Sequence, residues 1–208
     1  MKAVLFDWDG VLIDSTYMYY DLYCQLCQKY GKYLPINSLE EFREWYNPAW
    51  ENNYFEMGFT PEELPMIASF INHGTNYAPL KLYPGVPETL SDLHRDYRLA
   101  IVSTTPRDTI LKRLQASALD SYIDYITGDD GVSDKVGKIA RTLEILECSQ
   151  AVMIGDTPLD IASGKANKLP TIGASYGWVT PQRVRAAEPS IVIDSALELN
   201  SAIRSLLA

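Results

Sequence analysis

Short runs of apolar and β-branched residues recur along the chain, at residues 3–6, 99–102, 122–126, 151–154, 171–174 and 191–193. Near-uniform hydrophobicity over so few residues is the pattern of a strand buried on both faces. Between most of these runs the apolar positions fall three and four apart, as at Ile110, Leu111 and Leu114, or at Val136, Ile139, Ala140, Leu143 and Leu146. That spacing predicts amphipathic helices. Strands alternating with helices imply an α/β fold built on a doubly wound parallel sheet. Right-handed crossovers bring the loops that follow the strands to one edge, where such sheets bind ligands.

Residues 16–83 break the rhythm, with no convincing strand and most of the chain's fourteen tyrosines, together with Trp45 and Trp50. Asp14 or Ser15 can cap a first helix that stops near Gly31, and Ser38 with Glu41 has the spacing of a capping box for a second. Asn47-Pro48 interrupts that helix, and Thr60, Pro61 and Glu63 open another that runs to Gly74, kinked at Pro65. The expected organisation is a sheet domain of residues 1–15 and 84–208 with a small α-helical cap, residues 16–83, inserted after the first strand. Hinges are expected near residues 14–16 and 79–87. Cys24 and Cys27 lie within the first helix, where their spacing puts two small apolar groups on one face. With Cys148 the cysteine count is odd, which argues against a disulfide framework.

At 208 residues the chain is long enough for one substantial core, or for one core plus a small accessory domain. Its formal charge of −9, from 27 acidic and 18 basic residues without a basic run, argues against a nucleic-acid or anionic-membrane partner. No segment approaches the length of a membrane span, so a soluble cytoplasmic protein is expected, as a monomer or homodimer.

The first apolar run ends in Asp7-Trp8-Asp9-Gly10. Residues i and i+2 of a strand share a face, so Asp7 and Asp9 project together while Trp8 points elsewhere. Two crowded carboxyls require a proton or a cation between them, and oxygen ligands suit a hard metal ion. After the second run, Ser103 and Thr104 stand where a hydroxyl and free helix amides can bind an anion, while Thr105, Pro106 and Asp108 suit ordinary helix capping. The fourth run ends in Gly155-Asp156, and Thr157-Pro158-Leu159-Asp160 is a capping pattern in its own right. Asp156 precedes that cap and shares the sheet edge of Asp7. A cation for a bound anion is available at Lys135 or Lys138, both near the start of a helix; spacing does not choose between them. Arg107, Asp129 and Asp130 read as helix-start and loop residues near the same edge, and His73 and His94 sit away from every motif.

The string from Phe6 to Ser15, FDWDGVLIDS, resembles the first motif of the haloacid dehalogenase superfamily of aspartate-nucleophile phosphatases. Ser103 resembles the second motif, Lys135 the third although the common Lys-Pro pair is absent, and Asp156 with Asp160 the fourth; a cap between the first and second motifs matches the phosphoglycolate phosphatase and β-phosphoglucomutase-like members. The resemblance implies magnesium-dependent hydrolysis of a small phosphorylated metabolite. Asp7 is then the nucleophile and Asp9 the general acid and base. Magnesium falls to the Asp7 carboxylate, the Asp9 carbonyl and Asp156, with Asp160 supporting them, and Ser103, the Thr104 amide and the lysine hold phosphoryl oxygens. The mutase relatives carry a histidine at the cap hinge where this chain offers Tyr19 or its neighbours, so hydrolysis is favoured over phosphomutase activity. Asp9 argues against dehalogenases, which lack that acid, and against phosphonatases, which typically carry Ala there. The remaining alternatives are a phosphate-accepting receiver domain, which would be much shorter, and an inactive relative that only binds.

Overall fold

A computed structural model of the chain describes residues 1–129 and 134–208. Six parallel strands form one sheet in the order β3-β2-β1-β4-β5-β6. They are β1 (Lys2–Phe6), β2 (Arg98–Val102), β3 (Tyr125–Thr127), β4 (Gln150–Gly155), β5 (Thr171–Ala174) and β6 (Ile191–Ile193). The chain builds outward from β1 to β3, then crosses back to lay β4 on the other side of β1. Strand order therefore reverses between β1 and β4, the place where doubly wound sheets bind ligands.

The helices are α1 (Thr16–Tyr30), α2 (Leu39–Trp45), α3 (Glu51–Glu56), α4 (Leu64–Gly74), α5 (Val86–Leu93), α6 (Arg107–Ala116), α7 (Lys135–Ile145), α8 (Pro158–Ala166), α9 (Pro181–Ala186) and α10 (Leu199–Leu207). Alternation along β1 sends Val4 and Phe6 into a core with Leu90 of α5, Ile110 of α6 and Ile203 of α10, while Ala3 and Leu5 pack on the other face with Ile139 of α7. Both faces are thus covered, which is why the strands read as unbroken apolar runs. Trp8 continues the first of these faces and is fully buried in that core.

The helices α1 to α4 close a second core around Leu26, Phe42, Tyr54 and Ile67. Two chain crossings tie this insert to the sheet side by side: the Asp14 amide donates to the Lys81 carbonyl at 3.0 Å and the Tyr83 amide to the Leu12 carbonyl at 3.1 Å. Of the two cysteines expected on one buried face of α1, Cys27 is buried in the insert's core while Cys24 is only half-buried. Among the described residues no helix is long and apolar enough to cross a membrane.

Local expectations are corrected in four places. The third strand is Tyr125–Thr127 rather than 122–126, because Asp120–Tyr122 turns as a 3-10 helix and Asp124 spends its carboxylate on the Leu99 amide and Arg98. Ser15 occupies the N-cap of α1 without capping it; its hydroxyl accepts instead from the Trp178 indole at 3.1 Å. The box at Ser38 is half formed, since Glu41 accepts from the Asn37 amide. A separate short helix, α3, follows Asn47-Pro48.

Candidate active site

Asp7 leaves β1 with its amide still in the ladder, donating to the Ile154 carbonyl at 2.9 Å. Its carboxylate accepts from the Trp8 amide at 2.7 Å and pairs with Lys135 Nζ, also at 2.7 Å. Lys135 arrives there because Asp134 caps α7, accepting from the Gly137 amide at 2.7 Å, which makes Lys135 the first helical residue. The same ammonium contacts Asp160, so one buried cation lies between two acids. Lys138, one turn further, reaches the Ser103 carbonyl at 3.1 Å.

Asp156 directly follows β4, and its carboxylate accepts from the Trp178 amide at 2.6 Å. Backbone glycines make this approach possible. A Cβ on Gly10, whose φ is +75°, would strike Asp156 and come within 2.8 Å of the Trp178 ring; one on Gly177 would strike Asp156 as well. Asp160 sits one helical start later, held by the predicted capping box, with the Thr157 amide and hydroxyl donating to it at 3.0 and 2.7 Å. Carboxylate oxygens of Asp7, Asp156 and Asp160 all lie within 4.8 Å of one another.

Asp9 faces the same space with different company. Tyr77 donates to it at 2.9 Å and Thr105 at 2.6 Å. Thr105 is therefore not a helix cap, contrary to its local pattern: α6 begins at Arg107 behind Pro106. Ser103 is buried, its hydroxyl accepting from the Thr105 amide at 3.0 Å, while Thr104 is exposed to the cleft. All of Asp7, Asp9, Ser103, Thr104, Lys135, Asp156 and Asp160 line one cavity of about 590 Å³, as do Lys138 and Asp129. Arg107 pairs with Asp108 on the surface instead, and Asp130 lies outside the described residues. Tyr77, Thr105, Ser15 and Trp178 are the partners that sequence reasoning missed. Tyr77 carries no local signal, whereas the Thr-Pro at Thr105 looked like three other helix starts.

Burial dominates the electrostatics. It raises the Asp7 carboxyl to about 7 against the opposing pull of Lys135, and Asp160 adds to the rise. Asp156 is pushed well up by burial and then by Asp160 and Asp7. Asp9 is also raised by burial, with hydroxyl donors at Ser15, Thr105 and Tyr77 opposing. Buried carboxyls that resist ionisation, converging with only oxygen atoms to offer, fit a hard divalent cation.

Residues 4–174 match the model of the haloacid dehalogenase-like hydrolase family. The chain belongs to that family. A pyrophosphatase PpaX from Listeria innocua is 28% identical over 98% of this chain and 97% of its own length. A predicted phosphatase from Clostridium acetobutylicum superposes with a TM-score of 0.85 at 25% identity, covering 99% of both chains. A predicted phosphoglycolate phosphatase from Haemophilus somnus shares the fold, with a TM-score of 0.77 over 97% of both chains at 18% identity.

Proposed function

We propose that this hydrolase is a magnesium-dependent phosphatase acting on a small phosphate monoester, with Asp7 as nucleophile and Asp9 as general acid and base. The observation that carries this reading is the placement of Asp7 at the end of the central strand, against Lys135 and in reach of Asp156, with Asp9 facing the same cavity.

Phosphate monoesters hydrolyse so slowly in water that a catalyst must hold nucleophile and leaving group in line and spread the phosphoryl charge. An Asp7 oxygen attacks phosphorus as the bond to the leaving oxygen breaks, giving an aspartyl phosphate. The raised Asp9 carboxyl supplies a proton to the departing alcohol, then takes one from the water that attacks phosphorus and frees Asp7. Ser103, the Thr104 amide and Lys135 bind phosphoryl oxygens; Lys135, already between Asp7 and Asp160, is preferred to Lys138 for this role. The Asp7 carboxylate, the Asp9 carbonyl and Asp156 would hold magnesium, which supplies positive charge to the transferring phosphoryl group. Asp160 is committed to Thr157 and Lys135 and so orients the set rather than binding the ion.

The insert of residues 16–83 serves as the cap, excluding bulk water during transfer and touching the leaving group. Tyr19 lines the cavity, its hydroxyl 3.1 Å from that of Tyr77. Burial holds this phenol neutral, with Asp9 adding to the effect, so it is a poor substitute for a titrating histidine and hydrolysis is favoured over phosphoryl return. Replacing Asp7 by Asn tests the assignment: release of phosphate from an aryl phosphate with magnesium should vanish while circular dichroism is unchanged, and undiminished turnover would refute the nucleophile.

A further inference from the structure

The cap side of the cavity is walled by Tyr19, Tyr23, Tyr46, Trp50 and Tyr54, with Trp178 opposing them from the sheet domain. The rings pack on one another: Tyr46 and Trp178 have centroids 4.9 Å apart, Tyr19 and Trp178 4.7 Å, Tyr23 and Tyr54 5.1 Å. Burial keeps the phenols un-ionised, raising Tyr54 to about 12 and Tyr23 and Tyr46 well above the usual tyrosine range. Tyr46 packs edge-on against Trp178, whose amide donates to Asp156 at 2.6 Å, so this aromatic wall begins beside the acids.

Charge on the lining runs one way. Among the described residues that border the cavity, the cations are Lys135 and Lys138, both at the phosphoryl end. Lys135 is held by Asp7 and Asp160, and Lys138 reaches the Ser103 carbonyl. The other charged lining groups outside the four acids of the sheet edge are acids as well: Glu51 on the insert, and Asp129 and Asp134 beside the start of α7. Residues 130–133, Asp-Gly-Val-Ser, include no basic residue either. Two arginines, Arg43 of α2 and Arg183 of α9, are turned to carbonyls: Arg43 to Val179 at 3.4 Å, and Arg183 to Arg43, Glu44 and Tyr46 at 3.1, 2.9 and 2.8 Å.

A second phosphate or a carboxylate on the leaving group would enter a partly desolvated space with no cation to meet it and acids nearby, which is costly. An apolar ring there would replace water against aromatic faces, which is favourable. We infer that the alcohol released by this site carries no negative charge and presents a ring-sized apolar body to the cap. The inference rests on the phosphatase reading and narrows its substrate class.

The test compares initial rates of phosphate release from phenyl phosphate, 4-carboxyphenyl phosphate and pyrophosphate, at one pH with magnesium present. The carboxyl-bearing phenolate is the better leaving group, so chemistry alone favours its ester. Phenyl phosphate should nevertheless show kcat/KM higher by about tenfold or more than either anionic substrate, a difference of roughly 1.4 kcal/mol in the barrier. Glu51→Lys, which places a cation on the cap wall, should narrow the gap between the two aryl esters severalfold. Equal or faster hydrolysis of the anionic substrates overturns this inference alone, as does a preference that Glu51→Lys leaves untouched. Release from none of the three overturns the phosphatase reading with it.

Discussion

The Tyr77 hydroxyl donates to the Asp9 carboxylate at 2.9 Å across 68 residues of sequence, joining the end of the helical insert to the motif after β1. With the 2.6 Å bond from Thr105 it stabilises the ionised form of Asp9 against burial. Removing a donor to a charged group shifts the balance towards the protonated acid. Tyr77→Phe should therefore move the alkaline limb of the kcat profile to higher pH by about one unit, and Thr105→Val should act in the same direction. A profile that merely drops in height would assign these hydroxyls to packing.

Stability should respond to pH in a way that magnesium reverses. Asp7 rises from 3.8 to about 7 and Asp156 rises with it, burial being the main cause in both. A carboxyl with a higher pKa folded than unfolded binds more protons when folded, so its contribution is complete below the unfolded value and is lost as pH climbs through the folded one. The metal-free protein should melt at lower temperature as pH rises between about 4 and 7. Under the proposed function magnesium would bind the carboxylate form, so the rise in melting temperature that it produces should grow over the same window. Thermal scans with magnesium and with chelator would show this, and a metal effect independent of pH would contradict it.

The sheet was legible because strands buried on both faces leave continuous apolar runs, and Asp7 and Asp156 were legible because each acid ends such a run. What surrounds the acids was not. Thr105 precedes Pro106 in the same local pattern as Thr60, Thr157 and Thr180, and only the tertiary approach of Asp9 turns its hydroxyl from the helix to the acid. Lys135 and Lys138 sit three apart, on one helical face, and both are buried; nothing in spacing distinguishes the one that falls between two carboxylates. Tyr77 and Trp178 reach the site through hinge and loop geometry that leaves no periodic trace in the chain.

The two lysines can be separated by substitution. Lys135→Met removes the cation shared by Asp7 and Asp160, leaving two buried acids unbalanced, and should cost about 3 kcal/mol of stability near neutral pH. Much of that loss should return in mild acid, where the carboxyls take up protons. Turnover should fall by about 100-fold or more, because a charge aimed at the phosphoryl group is gone. Lys138→Met should retain at least tenfold more activity than Lys135→Met, since its ammonium meets the Ser103 carbonyl rather than Asp7, the proposed nucleophile; the reverse order would exchange their roles.

Gly177, one of two glycines packed on Asp156, bears on the metal site. A methyl at Gly177 would overlap the Asp156 side chain, including the oxygen that accepts from the Trp178 amide at 2.6 Å. Gly177→Ala should therefore displace the carboxylate and weaken magnesium binding, read as a higher magnesium concentration for half-maximal activity, more than it changes KM for an aryl phosphate. An equal effect on both would mean that the glycine shapes the cavity as a whole.

Arg183 ties the insert to the sheet domain in addition to the two chain crossings. Its guanidinium donates to the carbonyls of Arg43, Glu44 and Tyr46 at the end of α2, where orphan acceptors and the negative end of the helix favour a cation. Thr180 adds a bond to Glu44 at 2.9 Å. These contacts hold Tyr46 against Trp178, which in turn fixes Asp156 through its amide and Ser15 through its indole. Breaking them should loosen the insert without unfolding either core, because the apolar clusters on each side do not depend on Arg183. Arg183→Ala should therefore raise KM severalfold and speed amide exchange in α2, while the melting temperature moves little. A large fall in melting temperature with exchange unchanged in α2 would show that Arg183 serves the fold and not the closure of the cap.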